Sequence, residues 1–344
     1  MKHVFVIHSN ITYLAVLGVM IKENIHQEDV VIVSQMYERE VPIKCHRFKQ
    51  IPLGKLLLHP FSIFSEVKRI DSYVESLVHH EKYIVYVEAL YPFHSVIATN
   101  KLCVRINFIE EGFSAYPNTM SFDSHTMNYD KSSFRYLSLK DRFRDLYSLM
   151  KGYPIRLHAI PSFFNAYYDN SQITFYGFGE DAFNGVSNKV QISLRDVKDN
   201  FQWESLLLLK DVDIWLGTNC CTRENYPIEK YLAAIHKGMI QTMKEKNRKR
   251  VLIKFHPVES EESKKTTIAL FENNDIEVQI IPNDVILELE LFNADNIRIY
   301  AIDTSILIYA SFLGISCTSL LYLLEDFSLP SLLPTCWRYV NFLK

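Results

Sequence analysis

Residues 251–257 read Val-Leu-Ile-Lys-Phe-His-Pro, an apolar run that ends in a histidine and a proline. Continuous apolar runs of this length are typical of strands that are buried on both faces of a parallel sheet. The proline restricts His256 to an extended backbone and removes a hydrogen-bond donor, so the strand is expected to end there. The stretch therefore predicts a buried parallel strand that presents a histidine at its carboxyl end.

Other runs of the same character alternate with helical patterns along the chain. In the first half the predicted strands are Val4–Ile7, Val30–Ser34, Tyr83–Val87 and Cys103–Ile109. In the second half they are Val212–Leu216, Val251–Phe255, Val278–Ile281, Ile297–Ile302 and Ile315–Leu320. The helices predicted between them are Ile11–Ile21, Tyr226–Glu245, Val285–Asn293 and Thr304–Leu313. This alternation is typical of the α/β class with parallel sheets.

Length and composition restrict the kind of protein further. A chain of 344 residues is too long for one compact core, and the strand series starts anew near Asp211, so we predict two domains, 1–190 and 191–344. The expected architecture is two Rossmann-like domains facing each other across a cleft, with ligands at the carboxyl ends of the strands. A net charge of −3 shows no overall basic field, which argues against a nucleic-acid partner.

Cysteine usage and hydropathy indicate where the protein works. The six cysteines show no Cys-x-x-Cys spacing, so we expect no zinc site and a reducing cytoplasm. The N-terminus enters an apolar strand directly, without the pattern of a signal peptide. Residues 304–324 carry no charge, but serines, threonines and Gly314 interrupt them, which favours a helix followed by a buried strand over a membrane span.

An acidic pair follows the strand predicted at Cys103–Ile109, where the sequence reads Glu110-Glu111-Gly112. Two carboxylates at a strand end lie where ligands bind, and adjacent like charges tend to raise a pKa, which suits a general base. The glycine permits a tight turn. The alternative is an ordinary charged turn, and alternation along the strand leaves open which glutamate is the base.

Three further segments of the second half place polar groups at strand ends. Asp303-Thr304-Ser305 leads from a strand into a helix, where hydroxyls and free N–H groups form either an anion site or a plain N-cap. Glu288 lies among leucines and is either a ligand for the two hydroxyls of a ribose or a surface residue. The turn at Gly217, Thr218 and Asn219 offers backbone amides to a ligand or simply connects two elements.

Two other patterns are less informative. Gly177-Phe-Gly-Glu-Asp-Ala182 fits a dinucleotide fingerprint, but it does not follow an opening strand, which argues against a nicotinamide site. The basic stretch 244–250 and the aromatic C-terminal residues 329–344 leave open a peripheral contact with a membrane surface.

In their order along the chain, these motifs resemble those of bacterial sialyltransferases of the GT-B type. That group includes capsular polysialyltransferases and lipooligosaccharide sialyltransferases. Its motifs are an Asp/Glu-Asp/Glu-Gly, a His-Pro and a Ser-Ser/Thr pair, and Thr304 stands where serine is more usual. The corresponding residues here are Glu110, Glu111, Gly112, His256, Pro257, Thr304 and Ser305.

The resemblance implies an inverting, metal-independent transfer of sialic acid from CMP-sialic acid to a glycan hydroxyl, without a cofactor, in surface polysaccharide or lipooligosaccharide synthesis. It implies that one glutamate of the pair, with Glu111 preferred for its position beside the glycine, takes the acceptor proton. His256 would neutralise or protonate the departing CMP, Thr304 and Ser305 would hold its phosphate, and Glu288 its ribose. The second domain would bind the donor, and the first would grip the acceptor through the aromatic-rich stretch 108–129 and carry the base.

Two alternatives come from other classes. Glycerophosphotransferases that use CDP-glycerol share a Lys-x-His-Pro and an Asp-Tyr-Ser-Ser segment, but the sequence here reads Asp303-Thr304-Ser305 without the tyrosine. A non-catalytic nucleotide- or glycan-binding protein would need the anion clamp but not the acidic pair. The sequence leaves the acceptor, the linkage and the number of sugars added undefined.

Overall fold

The structure is a computed structural model of the chain and describes residues 1–35, 41–49, 60–90, 92–112, 115–116, 170–186, 188–223, 225–325 and 335–343. The chain divides into two compact units, Met1–Ile192 and Ser193–Lys344. Each unit contains one parallel sheet with helices, so the predicted α/β class is confirmed.

The sheet of the first unit has the strand order β3-β2-β1-β4-β5-β6-β7, with all neighbouring strands parallel. Its strands are β1 (Lys2–Val6), β2 (Val30–Ser34), β3 (Cys45–Arg47), β4 (Tyr83–Val87), β5 (Cys103–Ile109), β6 (Phe175–Gly177) and β7 (Lys189–Gln191). The helices between them are α1 (Asn10–Lys22), α2 (Pro60–Leu77) and α3 (Pro92–Ala98). The strand order reverses between β1 and β4, and ligands of open α/β sheets bind at such a switch point.

The second unit repeats this topology with the strand order β10-β9-β8-β11-β12-β13. Its strands are β8 (Asp213–Leu216), β9 (Arg250–Lys254), β10 (Glu277–Ile280), β11 (Arg298–Ala301), β12 (Ser316–Ser319) and β13 (Asn341–Phe342). Its helices are α4 (Leu194–Asn200), α5 (Cys220–Arg223), α6 (Ile228–Ile235), α7 (Gln241–Glu245), α8 (Glu261–Glu272), α9 (Leu287–Glu290) and α10 (Ser305–Phe312). The switch point lies between β8 and β11.

The helix predicted at Tyr226–Glu245 is interrupted in its middle. A π-helical segment, His236–Ile240, separates α6 from α7. Within it, Gly238 packs so closely against Leu320 that a Cβ at this glycine would lie 2.5 Å from a leucine methyl group. The glycine leaves room for this leucine, a packing contact between distant positions that the local sequence pattern does not predict.

The uncharged stretch 304–324 folds as α10 followed by the strand β12, as predicted. Gly314 has φ +82, a left-handed conformation that suits glycine at the end of a helix. Within the described part of the chain, no helix combines the length and the hydropathy needed to cross a bilayer.

Candidate active site

In the first unit, polar side chains follow three strands that are neighbours in the sheet. His8 comes after β1, Glu88 directly after β4, and the pair Glu110-Glu111 directly after β5. Since the carboxyl ends of parallel strands share one edge, these side chains gather at the switch point. Of these residues, only the acidic pair was predicted from the sequence. His8 and Glu88 were missed, although the same strand-end rule applies to both.

Glu110 is fully buried and its carboxylate is occupied on both oxygens. Its Oε1 accepts a hydrogen bond from the Tyr116 hydroxyl at 2.9 Å, and its Oε2 accepts the backbone N–H of Phe178 at 2.6 Å. A buried carboxylate with these donors connects β5 to the turn after β6, and removal of one partner would leave a costly unpaired group. These contacts assign Glu110 a role in holding the fold together at this strand end.

This carboxylate also explains the glycine spacing that imitates a dinucleotide fingerprint. A Cβ at Gly177 would lie 3.2 Å from Glu110 Oε2 and 2.5 Å from the Ala182 methyl group. A Cβ at Gly179 would lie 2.5 Å from the Tyr116 hydroxyl oxygen. The glycines make room for the packing around Glu110, so their spacing has a structural cause.

Glu111 points to a different environment from Glu110, and its side chain is 33% exposed. Its Oε1 lies 3.0 Å from His8 Nε2, and the other ring nitrogen of His8 lies 3.1 Å from Oε1 of Glu88. Glu88 is buried, and His94 Nδ1 lies 3.9 Å from the same Glu88 oxygen. The imidazole of His8 is thus held between one buried and one solvent-accessible carboxylate.

The backbone around His8 is fixed by the start of α1. The hydroxyl of Thr12 accepts the N–H of His8 at 3.2 Å and that of Ser9 at 3.1 Å, while Ser9 caps the helix. Such a reciprocal cap holds the turn between β1 and α1 in one conformation. Gly112, at the other side of Glu111, has φ +116, which confirms the tight glycine turn predicted after the acidic pair.

Charge favours the protonated form of His8. Burial alone would lower the pKa of His8, but the hydrogen bond to Glu111, the ion-pair contact with Glu88 and the negative charges of both carboxylates outweigh it and raise the pKa to about 10. Burial would raise the pKa of Glu88, but the charges of His94 and His8 lower it below its ordinary value. At neutral pH the group is therefore a carboxylate–imidazolium–carboxylate arrangement.

This arrangement predicts a pH dependence of stability. The pKa of His8 is higher in the folded than in the unfolded chain, so its contribution is complete below pH ~6.5 and is lost as the pH rises towards 10. Because the His8 side chain is 30% exposed, we expect its contribution to the free energy of unfolding to be only about 2–4 kcal/mol. Urea unfolding of the parent and of His8→Gln should differ by this amount at pH 6.5 and converge near pH 10. Equal differences at both pH values would contradict the assignment.

In the second unit, the turns after β8, β9 and β11 lie side by side. These turns carry Gly217 and Thr218, then His256, then Asp303 and Thr304. The Thr218 hydroxyl donates to Asp303 Oδ1 at 3.4 Å, and the N–H of Gly217 donates to the carbonyl of Lys254 at 2.9 Å. The structure therefore brings together the predicted residues at the ends of three neighbouring strands; Asn219, the next residue after Thr218, directly precedes α5.

The orientation of the His256 ring follows from one backbone contact. Its Nδ1 lies 3.3 Å from the N–H of Val258, which donates to it across Pro257. A neutral imidazole that accepts at Nδ1 carries its hydrogen on Nε2. Nε2–H is thus the group that this ring offers as a donor, either to a ligand oxygen or to a leaving group.

Thr304 and Ser305 begin α10, as the N-cap prediction requires. The Thr304 hydroxyl accepts the N–H of Ile306 at 3.5 Å, a long contact, and both residues are half-buried. The first turn of a helix leaves N–H groups without intrahelical partners, and these attract anions. The N-cap is therefore observed, and binding of a phosphate here stays a prediction.

Lys254 connects the His-Pro turn to the segment that precedes Glu288. Its ammonium group donates to the carbonyls of Pro282 at 3.1 Å and Val285 at 3.0 Å. Glu288 lies in α9 and is only 7% exposed, which disagrees with a glutamate on an outer helix surface. The proposed contact of Glu288 with a ribose is untested.

The predicted acceptor-gripping stretch 108–129 lies largely outside the described residues, which stop at Gly112 and resume only for Ala115 and Tyr116 before position 170. Across the described ranges, no group of three His, Cys, Asp or Glu side chains is arranged to hold a metal ion.

The fold was compared with known proteins. No family model matches the chain, and no curated protein matches its sequence. A solved structure of the 2,6-sialyltransferase of Photobacterium sp. JT-ISH-224, in a ternary complex with the donor product CMP and the acceptor substrate lactose, superposes with a TM-score of 0.50. The sequence identity is 13%, over 90% of this chain and 69% of that chain.

A second similar structure is the UDP-GlcNAc 2-epimerase of Methanocaldococcus jannaschii. It has a TM-score of 0.50 at 12% identity, over 93% of this chain and 83% of that chain. At these identities the likeness establishes the fold alone. The chain has the GT-B fold, with two Rossmann-like units, as the sequence predicted.

Proposed function

We propose that this protein is an inverting sialyltransferase that moves sialic acid from CMP-sialic acid to a hydroxyl of a glycan acceptor. The observation that carries the proposal is the unequal acidic pair. The Glu110 side chain is fully buried in the core. The Glu111 side chain reaches solvent at the switch point, and its carboxylate is held by His8. One oriented, solvent-accessible carboxylate beside a strand end is what a general base requires.

In the proposed reaction the oxygen of the acceptor hydroxyl attacks the anomeric carbon of sialic acid, and Glu111 accepts the proton of that hydroxyl. The bond from that carbon to the CMP phosphate oxygen breaks on the opposite side, which inverts the configuration. The protonated His8 fixes the orientation of the Glu111 carboxylate by its hydrogen bond. Glu88 in turn holds the His8 ring, and Glu110 positions the strand end without taking part in proton transfer.

The second unit would hold the donor. His256 offers its Nε2–H to the departing phosphate, as a hydrogen bond or as a proton. The start of α10, with Thr304 and Ser305, supplies hydroxyl and N–H groups to the same phosphate. In the turn at Gly217, Thr218 and Asn219, the backbone amides of Thr218 and Asn219 would contact the donor, since that of Gly217 is bonded to Lys254. Glu288 would contact the ribose. The motif order and the GT-B fold support this division of roles.

The cellular role proposed with it is synthesis of bacterial surface polysaccharide or lipooligosaccharide on the cytoplasmic side. This part of the proposal depends on the resemblance in motif order, and the stretch 108–129 to which acceptor binding is assigned lies largely outside the described residues. The proposed catalysis needs neither a metal ion nor a cofactor.

The discriminating experiment is an incubation with CMP-sialic acid and mixed glycan acceptors in the presence of EDTA. We expect release of CMP together with incorporation of sialic acid, undiminished by the chelator, because the proposed phosphate contacts all come from the protein. Parallel reactions with CDP-glycerol and UDP-GlcNAc test the two other nucleotide chemistries. Loss of activity with EDTA that magnesium or manganese restores would refute the metal-independent mechanism, and turnover of CDP-glycerol or UDP-GlcNAc alone would refute the donor assignment.

A further inference from the structure

Glu259 places a buried carboxylate against the turn that carries His256. Its Oε2 accepts the backbone N–H of His256 at 3.2 Å, and its own N–H donates to the carbonyl of His256 at 2.9 Å. Its Oε1 accepts the hydroxyl of Ser263, on α8, at 3.0 Å. The residue is only 4% exposed. The carboxylate thus ties the His-Pro turn to the following helix.

The same carboxylate also lies against the turn after β8. A Cβ at Gly217 would overlap Oε2 of Glu259 and would lie 3.1 Å from the backbone nitrogen of His256. Only glycine lets the two turns approach the carboxylate together. Glu259 is therefore in contact with both of the turns that the proposed function assigns to donor recognition.

We propose that Glu259 is a positioning residue of the nucleotide site, which holds the His256 and Gly217 turns together and takes up a proton when an anionic phosphate binds beside them. The inference rests on the proposed donor role of the second unit. Its physical basis is repulsion, because a carboxylate bonded to the backbone of His256 and a phosphate held by the same residue would be two negative charges in a partly desolvated site.

The environment of Glu259 makes such an uptake feasible near neutral pH. Burial raises the pKa of Glu259 to about 7, against the lowering effect of its hydrogen bonds with His256 and Ser263. The carboxyl group is then mostly protonated at pH 6 and mostly ionised at pH 8. The charged and titratable groups that act on it or lie around these turns are His256, Lys264, Tyr231, Cys221, Cys220, Glu229 and Asp303.

Phosphate binding favours the protonated form of Glu259, so the affinity for CMP should be high below pH 7 and should fall as the pH rises through 7. The difference in pH dependence of CMP affinity between the parent and Glu259→Gln gives the contribution of Glu259, because glutamine keeps an acceptor for the His256 N–H but cannot ionise.

The first measurement is calorimetric titration of CMP into the full chain at pH 6 and pH 8, in buffers of different ionisation enthalpy. We expect the dissociation constant of the parent to rise about tenfold more between these pH values than that of Glu259→Gln, with a larger proton uptake on binding in the parent than in the variant. The control is Glu262→Gln, an exposed residue in the first turn of α8, three positions from Glu259, which should behave as the parent. An unchanged pH dependence in Glu259→Gln would overturn the inference.

A second measurement needs no ligand and separates this inference from the proposed function. In the free protein, the carboxyl carbon of Glu259 and the amide of Gly217 should titrate by NMR with one common midpoint near neutral pH. The Gly217 shift should vanish in Glu259→Gln and persist in Glu262→Gln. If the chemical shift of the Gly217 amide does not change as Glu259 ionises, the positioning role is wrong. If the common titration is seen but CMP does not bind at any pH, the donor assignment fails and the coupling of the two turns stands.

Discussion

Glu111→Gln is expected to lower the turnover of CMP-sialic acid by ~10²–10⁴-fold while the affinity for CMP stays within about tenfold of the parent. Glutamine keeps the size of the side chain and the contact with His8, but it cannot accept the acceptor proton. An interaction that is made only in the transition state changes turnover and leaves ground-state binding intact. Single-turnover rates and calorimetric titration of CMP measure the two effects separately.

The matched control is Glu110→Gln, the neighbouring residue with the opposite environment. Its amide oxygen can still accept the Phe178 N–H, but its NH2 group cannot accept the Tyr116 hydroxyl and can only donate to it, so we expect a stability loss of about 1–3 kcal/mol. Turnover of the folded fraction should stay close to that of the parent. If the Glu110 variant loses turnover while folded and the Glu111 variant keeps it, the roles within the pair are reversed. Two variants with parental turnover would remove the acidic pair from the mechanism.

His256→Ala is expected to weaken CMP binding by about tenfold or more and to lower turnover by ~10²–10³-fold. The ring is held with Nε2–H as its donor, and a phosphate contact of this kind acts in the ground state and strengthens as charge develops on the leaving group. A combined loss in binding and turnover therefore distinguishes His256 from Glu111. Calorimetry with CMP and initial rates under saturating donor provide the two values.

His80→Ala serves as the control for loss of an imidazole, because the His80 side chain is 77% exposed and the residue precedes the amino end of β4, whereas the candidate site lies at the carboxyl ends of the strands. It should behave as the parent in both assays. If CMP binds to His256→Ala as tightly as to the parent while Glu111→Gln loses CMP, then donor recognition belongs to the first unit. That outcome would refute the division of roles between the two units.

Much of the framework was predictable from sequence because of how buried parallel strands are composed. The strands at Val30–Ser34, Tyr83–Val87 and Cys103–Ile109 coincide with the predicted ranges. By contrast, the short strands β6 and β7 were missed, since three residues provide too little pattern for a prediction. The helix α2, Pro60–Leu77, was also missed, although it is 18 residues long and amphipathic, so that its signal was present in the sequence.

In the candidate site, some residues were predictable from local sequence pattern and others only from contacts across the fold. Strand-end turns at Glu110-Glu111, His256 and Thr304 were identified by local pattern, because a polar residue after a buried apolar run marks the edge where ligands bind. His8 and Glu259 were not identified. Their relevance comes from contacts across the fold, such as the bond from His8 to Glu111, which are 103 positions apart in the chain.

The sequence by itself determined the α/β class, the two units and the positions of the strand-end turns, because these follow from local runs of apolar residues and the turn residues that end them. Only the tertiary structure decided which glutamate of the pair faces solvent. Strand alternation sends the two side chains in opposite directions, but their surroundings depend on which strands are neighbours: β6 and the residues after it enclose Glu110, while His8 from β1 meets Glu111. A side chain's exposure and pKa are properties of its neighbours in space, which a linear pattern does not contain.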